Sequence, residues 1–552
     1  MRLAITQFAT TLNTQQNLAT CIRVINKAAQ HQPTLIVLPE FANTVSWLKD
    51  QRQAWQQALE IDGYFLQAIA EQAQQHSCYI VIHVTLRAGN IAQADLQNQS
   101  VCASVCLFSP QGELIYPTNN AQPSAHDLAV FAINQSATNR AGNTQVKLGL
   151  MPGGRGLAFN AAQVLSLQGA QLLCCSSSAN SREQIALFEP ARAWQNQVFV
   201  ATSNKIGCLA AQKSQLTDTE QVLYNNDEIA VQGYGYSQII APNGQVLAQI
   251  AHREEGIAFA DIDVSRAGLT QYRQVSENIA LQYVILDAAH LSAVPETLNV
   301  AIFATYKSMQ QAIEDVCHYI ENNLTDIIQL PELFFLTDKN IAADKNNLAS
   351  LADISHSAIS RISAVLRPLQ YVCTSLIIEG YHQAVLISAD GLIASQSQLQ
   401  YCQRYPWSEP INSLNIITLP FEQGSIKLAM LTGDDAINPE IVAMAAKRDI
   451  ALLLVPFDLQ TAQESDFNLL AIGAEHKLCL IVASREKSFI NAADNASAKA
   501  NKSTGFIANF AINKTSLTQL TSARFANFNR KTLIKQQHGK ITKALVFPAT
   551  KQ

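Results

Sequence analysis

Leu35-Ile36-Val37-Leu38-Pro39-Glu40 and Ile327-Ile328-Gln329-Leu330-Pro331-Glu332 are the two stretches on which the reading of this chain turns. Each is a short, largely apolar run stopped by proline and followed by a carboxylate, the pattern of a buried strand with a sharp end. The same sentence precedes both. Leu3 to Phe8 reads as a strand, and Asn17 to Gln30 carries Leu18, Cys21, Ile22, Ile25 and Ala29 at helical spacing until Pro33 interrupts it. Before the second stretch, Leu298 to Phe303 reads as a strand, and Met309 to Asn322 places Ala312, Ile313, Val316 and Ile320 on one helical face. A strand–helix–strand unit ending in Leu-Pro-Glu therefore occurs twice, which implies a large internal repeat of α/β type.

The repeat continues downstream. Lys147 to Met151 leads into Pro152-Gly153-Gly154-Arg155-Gly156 and a helix through Leu167; Ile426 to Leu431 leads into Thr432-Gly433-Asp434-Asp435 and a helix from Pro439. Each helix runs into an apolar strand, Leu172 to Cys175 and Leu452 to Val455. Next come Ala193-Trp194-Gln195-Asn196 and Ala474-Glu475-His476, and 42 residues separate Gly153 from Gln195 just as 42 separate Gly433 from Glu475. Gly235 to Ile240, the turn Pro242-Asn243-Gly244, and Val246-Leu247 read as a closing hairpin. The expected lobes are 1–290 and 296–552. Segment 276–290 is Ala-rich and reads as helical, His290 to Pro295 as a linker, and Asn491 to Thr504 as a loop or insertion.

Composition narrows the classes. Hydrophobic residues at 48% and charged residues at 15% describe a globular chain, not a disordered one. A net charge of −5 with no basic run argues against a nucleic-acid partner. Met1-Arg2 passes directly into an apolar strand, and no apolar run is long enough to span a bilayer, so a cytoplasmic protein without membrane contact is expected. The eleven cysteines have no metal-type spacing and read as small buried hydrophobes in a reducing compartment.

In this order, and duplicated, the landmarks resemble the nitrilase superfamily of carbon–nitrogen hydrolases. The residues that carry the resemblance are Gln7, Glu40, Gly149, Arg192-Ala193, Asn196, Asn204 and Tyr234 to Ser237 through Gly244 in the first copy. In the second they are Glu332, Asp435, Pro439-Glu440 and Glu475. The resemblance implies two tandem α-β-β-α sandwich lobes, paired within one chain as a pseudo-dimer. It also implies three catalytic groups: a cysteine nucleophile, a glutamate base, and a lysine that stabilises the tetrahedral intermediate. The glutamates fall at Glu40 and Glu332. The lysine position falls at Asn120 and Leu399, and the cysteine position at Gly153 and Gly433; a slip of one residue gives Pro152, Gly154, Thr432 or Asp434, none of them a thiol.

The chain is therefore expected to be a non-catalytic member of that family that binds a small amide, nitrile or carboxylate, or regulates a partner. The alternatives are an active hydrolase that uses Glu40 with water or a non-standard nucleophile, and a purely structural protein. Cys174 and Cys175 lie in apolar surroundings unsuited to a thiolate, and Ser176 to Ser178 stand at the end of the same strand, near the expected pocket. Gly154 and Arg155, ahead of a helix, are candidates for holding an anion, with a tight turn as the alternative. Ser176, Asp435 and Glu440 complete the binding candidates, Glu440 also suiting a helix N-terminus. A cation at Asp434, Asp435 and Glu440 finds no ligand spacing, so neither a metal nor a cofactor is expected.

Overall fold

The protein is described from a computed structural model covering residues 1–48, 50–88, 100–116, 128–135, 145–151, 159–179, 184–210, 232–268, 282–287, 297–305, 307–338, 340–402, 404–422, 424–448, 450–458, 461, 463–476, 478–483, 504–511, 534–536 and 544–547. Two compact units divide the chain, Met1–Gln271 and Tyr272–Gln552.

The first unit is built on two six-stranded sheets. One runs Gly256–Asp261, Arg2–Gln7, Leu35–Val37, Tyr79–Ala88, Ser100–Phe108, Leu114–Tyr116; the other runs Val246–Gln249, Gln238–Ile240, Phe199–Asn204, Leu172–Ser177, Gln145–Met151, Val130–Asn134. Alternation along each strand decides what each face meets. Leu3, Ile5, Leu35 and Val37 pack against Leu148, Leu172, Cys174 and Phe199 of the facing sheet. Ala4, Ile36 and Ile80 turn the other way, onto the helices Thr14–Ala29 and Tyr64–His76 through Leu18, Ile25, Leu66 and Ile69. Leu173, Cys175 and Val200 likewise pack with Ala162, Leu165 and Ala193 of the helices Phe159–Leu167 and Glu189–Asn196. The result is helix, sheet, sheet, helix. The closing hairpin forms as expected, Gln238–Ile240 against Val246–Gln249, with Gly244 at φ +80° in its turn.

The second unit has a seven-stranded and a six-stranded sheet. The seven run Gly391–Ser397, Tyr381–Ser388, Tyr371–Ile378, Ile327–Glu332, Thr297–Ala304, Thr504–Ala511, Ile534–Gln536; the six run Gln282–Asp287, Ser413–Phe421, Gly424–Met430, Leu452–Pro456, Cys479–Ala483, Ala544–Phe547. Val300, Ile302, Ile327 and Leu386 meet Leu419, Ile426, Leu428 and Leu452 between the sheets. The helices Met309–Asn322 and Leu348–Val365 cover the outer face of the first sheet through Ile313, Val316, Ile320, Leu351 and Ile362. Both units carry a π-helical turn ahead of a late helix: Gln184–Phe188 before Glu189–Asn196, and Glu464–Asn468 before Leu469–His476.

One expectation is corrected. Part of the Ala-rich segment 276–290 is not a helix: Gln282–Asp287 is a strand, paired in parallel with Ser413 to Thr418. Tyr283, Val284 and Ile285 favour an extended backbone, and the open edge of the Ser413–Phe421 strand supplies the pairing that decides between the two conformations. This strand lies in the second unit, Tyr272–Gln552. The expected loop 491–504 lies outside the described residues except for Thr504, which opens the strand Thr504–Ala511. Among the described residues, no helix is long and apolar enough to cross a membrane.

Candidate functional site

In the first unit, strand Leu35–Val37 ends at Pro39-Glu40, and hydroxyls saturate its last carbonyls. Thr6 Oγ1 (3.1 Å) and Ser203 Oγ (2.6 Å) donate to Val37, and Ser176 Oγ (2.7 Å) donates to Leu38. Ser176, one of the binding candidates, thus gives its hydroxyl proton to the strand end. The chain then turns sharply: Phe41 has φ +45°, a costly conformation for a bulky residue. Its amide donates to Nδ1 of buried His83 at 3.0 Å. Burial, with help from Lys205, pushes the His83 pKa down to about 3, so the ring is neutral and able to accept that bond.

Lys205 follows strand Phe199–Asn204 and is buried. Its Nζ donates to the Phe41 carbonyl (3.1 Å), the Thr44 carbonyl (2.8 Å) and Ser46 Oγ (3.3 Å), three acceptors for the three protons of an ammonium. Burial pulls its pKa down to about 7, while Glu40 and Cys21 act in the opposite sense. Burial raises the pKa of the Glu40 carboxyl, and the hydrogen bond from Ser178 and the charge of Lys205 oppose that rise. Ser178 Oγ donates a short bond to Glu40 Oε2. The hairpin of Ile206–Cys208 and Gln232–Tyr234 crosses this region at Gly233, where a Cβ would land on the Lys205 carbonyl.

Glu189 is a second buried carboxyl in the same unit. It accepts from Gln238 Nε2 at 2.7 Å and Asn204 Nδ2 at 3.4 Å, and Gln238 also donates to the Ile185 carbonyl in the π-helical turn at 3.0 Å. Burial pushes its pKa up to about 8 against those hydrogen bonds. Cys175 is held well above the ordinary thiol range by burial, then by Glu189, Glu40 and Cys174. It is therefore a thiol, not a thiolate nucleophile. Asn120, Gly153, Gly154 and Arg155 lie outside the described residues.

The second unit places Glu332 at the end of strand Ile327–Glu332 with its side chain fully buried. Leu333 follows at φ +40°, and its amide donates to Ser375 Oγ at 3.1 Å, the arrangement that Phe41 and His83 make in the first unit. Arg404 reaches Glu332 Oε2 at 2.8 Å and Asp434 Oδ2 at 2.6 Å. His382 Nε2 lies 3.5 Å from Glu332 Oε1. Cys402 Sγ donates to Asp434 at 2.7 Å, so this sulfur faces Asp434 rather than the Glu332 base position. Its pKa is raised by burial and then by Asp434.

Gly433, where the family resemblance expected a thiol, lies against Phe457, and a Cβ built on it would fall 1.8 Å from the ring carbon Cδ2. Leu399, at the expected lysine position, is buried, and its amide donates to Asp435 Oδ2 at 2.8 Å. Asp435 also accepts from the Gln400 amide (3.1 Å) and Thr432 Oγ1 (3.0 Å). Asp435 therefore holds the Leu399–Gln400 backbone, and burial pushes its pKa up to about 7. Glu440 sits in the first turn of helix Pro439–Ala446, its amide bonded to Asn438 Oδ1 at 3.0 Å. An acid in the first turn suits a helix start. Sequence reasoning missed Lys205, Glu189, Arg404 and Phe457. The available signal was slight: one lysine ending an apolar strand, and one arginine in a polar connection.

Residues 2–272 match the model of the carbon–nitrogen hydrolase family. A nitrilase from Bacillus sp. (strain OxB-1) is 24% identical over 274 residues, spanning 45% of this chain and 74% of that protein. A chloroplastic omega-amidase from Arabidopsis thaliana is 24% identical over 276 residues, spanning 48% of this chain and 68% of that protein. Among solved structures, an amidase from Nesterenkonia sp. aligns with a TM-score of 0.36 and 18% identity over 48% of this chain and 90% of its own.

Three outcomes follow from this geometry. Lys205→Met should lower unfolding free energy by about 1–3 kcal/mol, because the Phe41 and Thr44 carbonyls lose their buried donor and Glu40 loses a nearby positive charge; adding Glu40→Gln should restore part of the loss in denaturant titrations. Gly433→Cys should destabilise the chain by about 1–3 kcal/mol through overpacking against Phe457, and Phe457→Ala in the same chain should relieve it. Between an unfolded pKa of 4.5 and a folded value of about 8, Glu189 is protonated in the fold and ionised in the unfolded chain. Its contribution is full below that window and is lost as pH rises through it, with a limiting slope of about 1.4 kcal/mol per pH unit. Denaturant midpoints measured from acid to mildly alkaline pH should fall less steeply for Glu189→Gln than for the wild type.

Proposed function

We propose that this chain, of which residues 2–272 belong to the carbon–nitrogen hydrolase family, is a non-catalytic member that binds a small amide or carboxylate at the Glu40 site of its first unit. On this reading the second unit is a degenerate copy of the first. The observation that carries the proposal is the sequence at the two bends: Pro152 to Gly156 and Thr432 to Asp435 contain no thiol. Buried cysteines elsewhere, Cys174 and Cys175 among them, are pushed above the ordinary thiol range with burial as the leading cause. The degenerate-copy reading is supported by the π-helical turns beginning at Gln184 and Glu464, 280 positions apart. It is supported also by the matching left-handed residues after Glu40 and Glu332.

A second reading is favoured by one contact, the hydroxyl of Ser178 donating to Glu40. In that reading Glu40 takes the proton as Ser178 Oγ bonds to an amide carbon. The leaving amine then departs protonated, and water cleaves the resulting ester. One experiment separates the two. The full chain, Ser178→Ala and Glu40→Gln are incubated with straight-chain C2–C5 amides and the matching carboxylates, and ammonia release and thermal unfolding are followed together. The binding reading expects no ammonia above the Glu40→Gln background. It also expects saturable stabilisation, near 2.7 kcal/mol at about 100 times Kd, that Glu40→Gln weakens. Ammonia release abolished by Ser178→Ala would overturn it in favour of the hydrolase.

A further inference from the structure

The cation in the second unit is held in a way that a simple ion pair does not require. Arg404 leaves the connection between strands Gly391–Ser397 and Ser413–Phe421 and presents its guanidinium to carboxylates from two separate elements. Nη1 donates to Glu332, at the end of strand Ile327–Glu332, at 2.8 Å, and Nη2 donates to Asp434, in the short helix Gly433–Ala436, at 2.6 Å. The guanidinium carbon lies 5.4 Å from the Tyr405 ring centroid and 5.5 Å from that of Phe457. Two separately anchored acceptors and two aromatic rings are the recognition elements of a planar, delocalised cation; an ammonium would serve neither the fork nor the stacking as well.

Each acceptor has a partner besides the arginine. Glu332 also accepts from the Asp458 amide at 3.3 Å, and Asp434 from Cys402 Sγ at 2.7 Å. Asp434 would be raised by burial alone, yet Arg404 leads the influences that bring its pKa below the ordinary value. The side chain of Glu332 is fully buried, and those of Arg404 and Asp434 are 20% and 30% accessible.

We propose that this cluster is a guanidinium-binding site occupied in cis: Arg404 is a tethered ligand that closes the second unit, and a free guanidinium or amidinium compound takes the same place when the side chain is removed. The site stands apart from the Glu40 reading and does not depend on it.

The test uses the full chain carrying Arg404→Ala, followed by thermal unfolding with methylguanidinium, methylammonium or sodium chloride at equal ionic strength. The expected result is a midpoint lowered by several degrees that methylguanidinium restores saturably in the low-millimolar range. Methylammonium and salt should not restore it, the wild type should not respond, and Glu332→Gln added to Arg404→Ala should abolish the rescue. An unchanged midpoint in Arg404→Ala, an equal response to methylammonium, or rescue that survives Glu332→Gln would overturn the proposal. Should Arg404→Ala not fold, it is refolded from denaturant with and without methylguanidinium. Recovery only with methylguanidinium supports the site, and equal yields in both, nil included, reject it.

Discussion

Burial of a carboxylate at the end of a central strand is the constraint around which each unit is arranged. An ionised glutamate removed from water costs several kcal/mol unless a cation and hydrogen-bond donors replace its hydration. The first unit meets that demand with Lys205 and the Ser178 hydroxyl around Glu40. The second meets it with Arg404, the Asp458 amide and nearby His382 around Glu332. The difference in cation matters. A lysine ammonium is a compact charge that can be satisfied by the carbonyls of the neighbouring turn, leaving the carboxylate with a hydroxyl partner. An arginine fork spans two acids and fills the space between them.

The backbone around each glutamate is strained, and the strain is braced. Phe41 and Leu333 both adopt left-handed conformations immediately after the acid. A conformation that costs about 1–3 kcal/mol persists only where surrounding contacts over-determine it. Here the braces are a neutral imidazole in one unit and a serine hydroxyl in the other, each accepting the amide of the strained residue. Lys205 adds a second brace by binding the Phe41 and Thr44 carbonyls, so the cation that compensates Glu40 also fixes the turn that aims it.

Much of this was legible in the sequence wherever the signal was local. The paired Leu-Pro-Glu strands, the helix Met309–Asn322 and the Pro-Asn-Gly hairpin follow from periodicity and turn chemistry, which act over a few residues. Glu40 and Glu332 were placed for the same reason. What was illegible was decided at long range. Lys205 looks like a lysine at a strand end with its tip in water, and its burial depends on a turn more than 150 positions earlier in the chain. Arg404 sits in an unremarkable polar connection, and only the fold brings it to Glu332. Asp435 looked like a ligand contact because acids near a glycine-containing bend attract that reading, yet its oxygens are used by the Leu399 and Gln400 amides and the Thr432 hydroxyl. The strand Gln282–Asp287 was misread because alanines around it suggested a helix, whereas the partner that makes it extended comes from far downstream.

That strand also governs how the polypeptide can be divided. Gln282–Asp287 forms one border of the six-stranded sheet in the second unit, laid along Ser413 to Thr418. A fragment begun at residue 296, where the repeat in the sequence starts, would lack it and leave the Ser413–Phe421 backbone with a row of unanswered amides and carbonyls. Such a bare flank is a template for any extended chain, a neighbouring fragment included, and invites self-association. A truncation that keeps this border strand keeps the Ser413–Phe421 backbone paired on that side.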